Sequence, residues 1–333
     1  MILRLTGACN NRCAFCLVDD EIERGIVRPL EELAAEIESV AADETIDVFG
    51  GEPTINPFFW KVLELALASG RIVTLATNCR IFGHAPAARR LAALGRSRLL
   101  VRTSLLGGRA ELHDRLNGVT GHAFEQTIAG IANLTALGFE VQTNIVLLAD
   151  NLEELMSTIA AAIGAGSRQI KLSGLVRTGR VERMIPDPER VRLRLSTVIP
   201  LARAMGASIK LEKLTPCLVP GFLAVLHRES DPASGAGWFR KAKACQDCAF
   251  SAACDGAEVG ALRRYGEGWL RPFESVPETL VDRIEAAAID GYSPDEAKPI
   301  VHLQFPDDPG ETLDLLPAVA AFRVRNPHVY LLA

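Results

Sequence analysis

Extended apolar segments and helical segments alternate six times between residues 2 and 206 of this 333-residue chain, with short connections between them. The predicted strands are Ile2–Leu5, Thr45–Phe49, Ile72–Ala76, Leu99–Leu105, Val141–Leu148 and Gln169–Leu175. Such alternation is typical of a parallel sheet whose strands are joined by crossover helices. Because six units are fewer than the eight of a closed barrel, we expect an α/β fold, a partial (β/α)6 TIM-like barrel that is open at one side.

The loop after the first predicted strand contains three cysteines, Cys9, Cys13 and Cys16, in the spacing C-x3-C-x2-C. Soft thiolate ligands select iron–sulfur clusters or zinc. A structural zinc site closes with four ligands, and no fourth Cys or His lies in the neighbouring turns. A four-iron cluster held by three cysteines keeps one iron open for another ligand. The ligand count therefore favours an open [4Fe–4S] cluster over zinc or incidental cysteines.

These cysteines, with the aromatic Phe15 just before the last of them, resemble the signature of the radical S-adenosylmethionine (radical SAM) enzymes. The resemblance implies that the open iron binds the amino and carboxylate groups of SAM. An electron from the cluster would then cleave SAM to methionine and a 5′-deoxyadenosyl radical, which takes a hydrogen atom from a substrate. In such chemistry the protein positions and shields the cofactor.

The segment Gly50-Gly51-Glu52-Pro53 follows the second predicted strand and resembles the Gly-Gly-Glu-Pro motif of the same family. Glycine permits backbone groups to come close to the amino group of SAM. An ordinary strand-to-helix turn that starts at the proline is the alternative. By itself this motif is weak evidence, and it favours the family only because the cysteine loop precedes it.

Further polar residues follow or end the predicted strands. Thr77, Asn78 and Ser104 resemble the ribose- and carboxylate-contacting residues of the family, and Asn144 lies within the fifth strand. In barrels of this kind the loops after the strands form one face, and the active site lies there. We therefore expect these residues to converge with the cysteine loop at one mouth, although turns and solvated faces also use Ser, Thr and Asn.

Two positions depart from the family pattern. Cys79 stands where relatives with peptide or sulfatase substrates often have glycine, and Asn117 stands where many have an arginine that binds the SAM carboxylate. Arg115, two residues before Asn117, and Arg102, on the fourth strand, are alternative carboxylate partners because a guanidinium fork matches a carboxylate. The sequence does not choose between them.

Other reactive side chains have two interpretations each. Cys79 is either a small buried hydrophobe or a thiol at the rim that returns a hydrogen atom to a substrate radical. His113 and His122, in the polar connection after the fourth strand, are catalytic bases or, alternatively, loop and helix-capping residues. Lys171 and Arg177 either reach a substrate carboxylate in the mouth or face solvent.

A second group of cysteines follows the barrel and one more predicted strand, Ser208–Leu214. Its members are Cys217, Cys245, Cys248 and Cys254. The spacing resembles the auxiliary-cluster extensions called SPASM and twitch domains, nearer the twitch type because four cysteines suffice for one fully ligated cluster. Ligand chemistry alone also allows a closed zinc site, whereas the resemblance implies a second [4Fe–4S] cluster.

These assignments divide the chain into a radical SAM barrel (1–206), a SPASM/twitch-like auxiliary [4Fe–4S] region (207–262) and an appended βα segment (263–333). In the appended segment we predict the helices Pro277–Asp290 and Thr312–Phe322 and the strands Val301–Phe305 and Val329–Leu332.

Composition limits the partners. The net charge of −5 and the absence of a Lys/Arg run predict no nucleic-acid partner, and no apolar run is long enough for a membrane span. Seven of the eight cysteines fall into two metal-like groups, which indicates the reducing cytoplasm. The resemblance implies a one-electron reductant such as flavodoxin or ferredoxin.

The substrate has two candidates and the activity has one remote alternative. A ribosomally made peptide, which would be cross-linked or epimerised, is favoured slightly over a small molecule that is oxidised. Peptide-modifying relatives often have an N-terminal leader-binding domain, and we expect none before Ile2. This expectation weakens the peptide hypothesis without removing it, because a separate protein can bind the leader. A non-catalytic iron–sulfur electron carrier or sensor would explain the cysteines but not the Gly50–Pro53 segment.

Overall fold

A computed structural model describes residues 1–16, 25–176, 181–227, 237–251, 254–275, 300–302 and 330–332. Arg177 and the predicted helices Pro277–Asp290 and Thr312–Phe322 lie outside the described residues. No helix in the described ranges is both long and apolar enough to cross a bilayer.

One parallel sheet of eight strands organises the chain, and its spatial order is the order of the strands in the sequence. The strands are β1 (Ile2–Arg4), β2 (Ile46–Phe49), β3 (Val73–Ala76), β4 (Leu99–Ser104), β5 (Val141–Val146), β6 (Gln169–Ser173), β7 (Ser208–Glu212) and β8 (Leu226–His227). Each pairs in parallel with the next, and no ladder within the described ranges joins β1 to β8. The predicted open, partial barrel is confirmed.

Helices connect the strands and cover one face of the sheet. They are α1 (Leu30–Ser39), α2 (Phe59–Ala68), α3 (Ala85–Ala93), α4 (Ala110–Leu116), α5 (Ala123–Ala136), α6 (Leu155–Gly164), α7 (Pro188–Ala204) and α8 (Val259–Tyr265). The short α4 corrects the sequence analysis, which treats residues 113–118 as a polar connection. Its burial explains the error, because His113, Asp114 and Asn117 are all buried although their residue types predict exposure.

The strands alternate between fully buried and half-buried residues, as β5 shows with its pattern of buried and intermediate positions. Successive side chains of a strand point to opposite faces. The fully buried ones, such as Leu75 and Leu172, pack with the helices in two hydrophobic cores. The half-buried ones therefore line the concave face, which opens at the carboxyl ends of the strands.

The region after β7 packs on the barrel. Strand β9 (Phe239–Arg240) pairs antiparallel with β10 (Ala257–Glu258), directly before α8. Ala257, Leu262 and Trp269 are buried in the same core as residues of β5 to β7. Two short strands near the end of the chain, β11 (Ile300–His302) and β12 (Tyr330–Leu332), pair in parallel, as the two extended segments predicted there suggest.

Candidate active site

The three-cysteine loop leaves the carboxyl end of β1 and lies at the mouth of the barrel. Cys9, Cys13 and Cys16 are all free and partly buried. Burial, with smaller contributions from Glu52 and Cys16, raises the pKa of Cys9, and burial together with Cys16 and Cys9 raises the pKa of Cys13 to about 12. The three sulfur atoms therefore lie close enough to repel one another as thiolates, which a bound cationic centre would offset.

The loop rests on the glycine pair that follows β2. The backbone N–H of Gly51 donates to the carbonyl of Thr6 (2.8 Å), and that of Glu52 donates to the carbonyl of Ala8 (2.8 Å). A Cβ atom at Gly51 would lie 2.4 Å from the Ala8 carbonyl oxygen, so only glycine permits this approach. At Gly50, where φ is +151°, a Cβ would lie 2.4 Å from the Thr6 carbonyl oxygen.

Glu52 joins the ends of β2 and β3 through a buried carboxylate. Its Oε1 accepts hydrogen bonds from the hydroxyls of Thr54 (2.7 Å) and Thr77 (2.7 Å). Its Oε2 accepts from the backbone N–H of Asn78 (2.7 Å). Burial raises the pKa of Glu52, and these hydrogen bonds lower it in part. Pro53, also buried, begins a short 3-10 turn after it. The Glu52 side chain thus holds the rim together from below the cysteine loop.

Residues after β3 hold the cysteine loop from the side. The Asn78 side chain donates to Oδ1 of Asn10 (2.6 Å). The Arg80 guanidinium donates to the carbonyl of Asn10 (2.9 Å) and to Oδ1 of Asn11 (2.8 Å). The sequence analysis missed Asn10, Asn11 and Arg80. The one feature of the sequence that could have identified these three residues is their position between or near the recognised motifs.

The end of α4 holds the loop from the opposite side. Oδ1 of Asn117 accepts hydrogen bonds from the Asn11 amide (2.9 Å) and from the Cys13 thiol (3.2 Å). The backbone N–H of Arg12 donates to the Asn117 carbonyl (2.7 Å). Gly118, at φ +63°, has no room for a Cβ, which would lie 2.4 Å from the Arg12 carbonyl oxygen. Asn117 therefore contacts the cysteine loop itself, and Gly118 is a further contact that the sequence analysis missed.

The polar residues of β4 and β5 share one row across the concave face. Ser104 pairs in register with Asn144, and Asn144 with Lys171 of β6. Ser104 is exposed at the open end, and the hydroxyl of Ser173 donates to Oδ1 of Asn144 (2.7 Å). Ser173, which the sequence analysis missed, follows Lys171 by two residues and so lies on the same face.

The two arginine candidates for a carboxylate occupy different surroundings. Arg102 lies on the concave face, where it forms an ion pair with Asp47 at 3.5 Å. Arg115 is exposed on α4 and forms an ion pair with Asp150 at 2.7 Å. Phe15 is partly buried against the core that contains β5 to β7. The Arg102 side chain is 42% exposed and that of Arg115 is 59% exposed, so Arg102 is the less exposed of the two.

Cys79 does not lie at the rim. Its side chain is 0% exposed within the hydrophobic core, and burial raises the pKa of its thiol to about 12. Its backbone adopts a left-handed φ of 65°, from which a 3-10 turn starts. This placement contradicts the rim position that a hydrogen-donor thiol needs, and it agrees with the alternative of a small buried hydrophobe.

The contacts of the two histidines after β4 indicate structural roles. His113 is buried, accepts a hydrogen bond at Nδ1 from the backbone N–H of Leu106 (3.1 Å), and packs edge-on against Phe124. Burial lowers the pKa of His113 to about 4. His122 is exposed and precedes α5 at a left-handed φ of 68°. A buried histidine that is neutral at pH 7 serves here as a hydrogen-bond acceptor.

The four cysteines of the second group line one shared cavity that is partly open to solvent. Cys217, Cys245, Cys248 and Cys254 are free and partly buried. Burial raises the pKa of Cys217, and the other three raise it further. The sulfur atoms therefore face one another across the cavity, as ligands of a shared centre would.

Backbone donors and a cation surround this cavity. The backbone N–H of Phe273 donates to the Cys248 sulfur (3.3 Å), and that of Gly256 donates to the Cys254 sulfur (3.2 Å). The Lys241 ammonium donates to the carbonyls of Ser251 and Cys254. Hydrogen bonds and positive charge stabilise thiolates, so these sulfur atoms fit a thiolate-bound centre.

Neither group converges on a single ion. Across the described ranges, no set of three or more His, Cys, Asp or Glu side chains is arranged to hold one metal ion. The thiolates of a four-iron cluster bind different iron atoms, so they do not need to meet at one point.

The sequence profile of the radical SAM superfamily matches residues 3–162. The AdoMet-dependent heme synthase of Methanosarcina barkeri is 33% identical over 186 residues, which make up 53% of this chain and 50% of that protein. The mycofactocin maturase MftC of Mycobacterium tuberculosis is 33% identical over 175 residues, which make up 50% of this chain and 43% of that protein. The chain thus spans about half the length of the curated relatives it matches.

Streptococcus suis SuiB bound to its precursor peptide SuiA has a similar fold. The two structures superpose with a TM-score of 0.53 at 15% identity, over 63% of this chain and 47% of the SuiB chain. At this identity the likeness is one of fold. It agrees with the partial barrel described above.

Proposed function

Residues 3–162 of this chain form a radical SAM domain, and from that premise we propose that the protein is a radical SAM enzyme that matures a ribosomally made peptide. The observation that carries the proposal is the cysteine loop, whose backbone is held against Gly50 and Gly51 at the mouth of the barrel. A [4Fe–4S] cluster held by Cys9, Cys13 and Cys16 would supply the electron for reductive cleavage of SAM, the chemistry that this domain implies.

The chain's own residues hold and shield this chemistry. Cys9, Cys13 and Cys16 would supply the thiolates. Asn117 holds the loop through the buried hydrogen bond from the Asn11 amide, and Glu52 holds the rim through its buried hydrogen bonds. The strand-end residues Thr77, Asn78, Ser104 and Asn144, next to the glycine pair, would form the surface on which SAM binds. Preorganised groups of this kind orient a cofactor without reorganisation during the reaction.

Two relatives support two substrate classes. A peptide substrate is supported by the mycofactocin maturase and by the fold shared with SuiB, a structure that contains a precursor peptide. A small-molecule substrate, oxidised or otherwise modified, is the second candidate, because the AdoMet-dependent heme synthase matches a similar length of chain at the same identity. A separate leader-binding protein belongs to the peptide proposal.

We assign a second [4Fe–4S] cluster to Cys217, Cys245, Cys248 and Cys254. The cavity that they share and the backbone donors at two of the sulfur atoms support this assignment. A zinc ion is the alternative, because four thiolates also suit a closed tetrahedral zinc site. Such a cluster would carry electrons to or from the radical site.

We also propose a cellular compartment and an electron donor for this protein. Eight free cysteines agree with a reducing compartment, and we assign the protein to the cytoplasm. A one-electron donor such as flavodoxin or ferredoxin would supply the reductant. The net charge of −5 gives no electrostatic support for a nucleic-acid partner.

Anaerobic reconstitution tests the clusters and the reaction together. Iron, sulfide and zinc are counted in the wild type, in the triple variant Cys9/Cys13/Cys16→Ala and in a variant with all four auxiliary cysteines replaced by Ala. Two four-iron clusters predict about eight irons in the wild type and about four in either variant. One zinc retained in the triple variant would assign the second site to zinc.

The same preparations separate an enzyme from an electron carrier. With dithionite and SAM, we expect 5′-deoxyadenosine from the wild type and none from the triple variant. A fully loaded wild type that binds no SAM and forms no 5′-deoxyadenosine would contradict the proposal and support the carrier. Mass spectrometry of short peptides encoded beside the gene, incubated with the active enzyme, would then separate the two substrate classes.

A further inference from the structure

The proposed function does not use the half-buried side chain of Arg80, which reaches the cysteine loop from the turn after β3. This turn starts at Cys79, whose backbone adopts a left-handed φ of 65°. The backbone N–H of Arg80 donates to Oδ1 of Asn78 (3.1 Å), and its Nε donates to Oε1 of Gln126 on α5 (2.7 Å). Neither acceptor belongs to the cysteine loop, so Arg80 is anchored outside the loop that its Nη1 atom contacts.

Two atoms of the cysteine loop accept hydrogen bonds from Nη1 of Arg80. They are the carbonyl oxygen of Asn10 (2.9 Å) and Oδ1 of Asn11 (2.8 Å). The Asn11 side chain is buried, and its Nδ2 donates to Oδ1 of Asn117 (2.9 Å). Asn11 is therefore held from two sides, by the turn after β3 and by the end of α4.

The carbonyl of Asn10 and the backbone N–H of Asn11 belong to one peptide unit. No cis peptide bond occurs in the described ranges, and a trans peptide is planar, with its C=O and N–H pointing in opposite directions. The N–H of this unit donates to the Cys9 sulfur, at 3.4 Å between nitrogen and sulfur. Arg80 therefore binds the oxygen end of the peptide unit whose nitrogen end contacts a proposed cluster ligand.

A hydrogen bond at the carbonyl oxygen affects the N–H of the same peptide unit in two ways. It fixes the rotation of the peptide plane, and so the direction in which the N–H points. It also polarises the amide, because hydrogen bonds in a chain strengthen one another. An N–H that donates to a thiolate sulfur stabilises negative charge there, which favours the reduced state of an iron–sulfur cluster.

We infer that Arg80 is a positioning residue for the cluster of the first loop. Through the peptide unit between residues 10 and 11, it holds the Asn11 N–H on the Cys9 sulfur and so raises the reduction potential of that cluster. The inference rests on the proposed function, which assigns a four-iron cluster to this loop. Arg80 then sets how strong a reductant the protein needs, because a higher potential lets a weaker donor supply the electron.

Redox titration of the reconstituted full chain, without SAM, tests the inference. The EPR signal of the reduced first cluster is followed against applied potential, and the triple variant Cys9/Cys13/Cys16→Ala identifies any signal of a second centre. In Arg80→Gln we expect the ratio of reduced to oxidised cluster at a given potential to fall about ten-fold, the size of one net hydrogen bond. That ratio corresponds to a midpoint potential about 59 mV more negative. Pulsed EPR in H2O and D2O should show one exchangeable-proton coupling that is weaker in this variant.

Two further variants separate the contact from the charge. Arg98 also donates to a backbone carbonyl, that of Gly70 (2.6 Å), but it directly precedes β4, at the amino end of the sheet. Arg98→Gln removes the same charge and should keep the wild-type potential. Gln126→Met keeps the guanidinium of Arg80 and removes the acceptor of its Nε. It should shift the potential in the same direction as Arg80→Gln, by a smaller amount.

The outcomes are distinct. Wild-type potentials in iron-loaded Arg80→Gln and Gln126→Met would overturn the inference, as would an equal shift in Arg98→Gln. A shift in Arg80→Gln with an unchanged exchangeable-proton coupling would assign the effect to charge and also overturn it. If Arg80→Gln loads too little iron for titration, a wild-type potential in Gln126→Met overturns the inference by itself. A wild type with no reducible signal beyond that of the triple variant would refute the proposed function instead.

Discussion

The Cys13 thiol and the Asn117 amide oxygen are 3.2 Å apart, although 104 residues separate them in the chain. The same oxygen accepts a hydrogen bond from the Asn11 side chain, and the Asn117 amide nitrogen donates to the carbonyl of His113 (2.9 Å). The end of α4 therefore carries one buried amide that ties the cysteine loop to the connection after β4.

Replacing Asn117 with Ala should weaken cluster retention. It leaves the buried Asn11 amide without its acceptor, at a cost of about 1–3 kcal/mol of folding stability. The His113 carbonyl keeps the hydrogen bond from the backbone N–H of residue 117 (3.0 Å). The substitution also frees the loop that carries the cluster ligands. We expect iron to be lost faster on exposure to a chelator, measured by the decay of the cluster absorbance.

Asn133→Ala is the matched control for this variant. The Asn133 amide also donates two hydrogen bonds, to the carbonyls of Phe82 (2.8 Å) and Gly83 (3.2 Å), which lie in the turn after β3 and not in the cysteine loop. A similar loss of stability with wild-type iron retention would assign the effect of Asn117 to the loop. Equal iron loss in both variants would contradict the assignment.

Gly51→Ala should displace the cysteine loop from its support. The added Cβ would lie 2.4 Å from the Ala8 carbonyl oxygen and 2.5 Å from that of Gly7, and backbone cannot move aside as a flexible side chain can. Overpacking of this kind costs about 1–3 kcal/mol. We expect reduced iron incorporation and reduced 5′-deoxyadenosine formation at an unchanged circular dichroism spectrum.

Gly164→Ala, at the end of α6, provides the control because no atom lies within 4 Å of its added Cβ. It should load iron like the wild type. Full iron incorporation by Gly51→Ala would show that the loop does not depend on the close backbone approach.

His113 should make the metal-free protein less stable in mild acid. Burial lowers the pKa of His113 from 6.5 to about 4. Between these two values the unfolded chain takes up a proton that the folded chain does not, so stability falls as the pH drops through this window and is constant above it. The gap corresponds to roughly 3 kcal/mol.

Urea unfolding between pH 4 and pH 7.5 measures this dependence. His113→Gln cannot take up the proton, so the stability difference between the wild type and this variant should shrink as the pH falls. His84→Gln, at an exposed site, controls for the loss of a histidine. Parallel curves for the wild type and His113→Gln would refute the prediction.

Cys79→Ala should retain SAM cleavage. The thiol is 0% exposed and protonated at all ordinary pH values because its pKa is about 12. Removing its sulfur should cost about 1 kcal/mol of stability, as small buried truncations do. We expect the wild-type rate of 5′-deoxyadenosine formation and, with a substrate in hand, unchanged product stereochemistry. A folded, iron-loaded variant with altered stereochemistry would restore the hydrogen-donor hypothesis.

Local patterns explain which parts of the site could be predicted. The strand and helix segments were recognisable because hydrophobic periodicity is a property of neighbouring residues. The convergence of the cysteine loop with Gly51 followed from topology, since all parallel strands end at one face. In contrast, Asn10, Asn11, Arg80 and Ser173 have ordinary polar residue types, and their contacts depend on chain segments that are distant in sequence.

The sequence by itself determined the parallel sheet, the open barrel and the three cysteines after β1. Cysteine spacing and hydrophobic periodicity depend only on residues that are close in the sequence, so they can be recognised without the fold. Tertiary structure alone decided which side each reactive group faces. The left-handed backbone at Cys79 places its thiol in the core, and the helical turn at residues 110–116 buries His113 and leads Asn117 to the cysteine loop. Burial and contact partners depend on the packing of the whole chain, so side-chain reactivity at this mouth follows from the fold rather than from residue type.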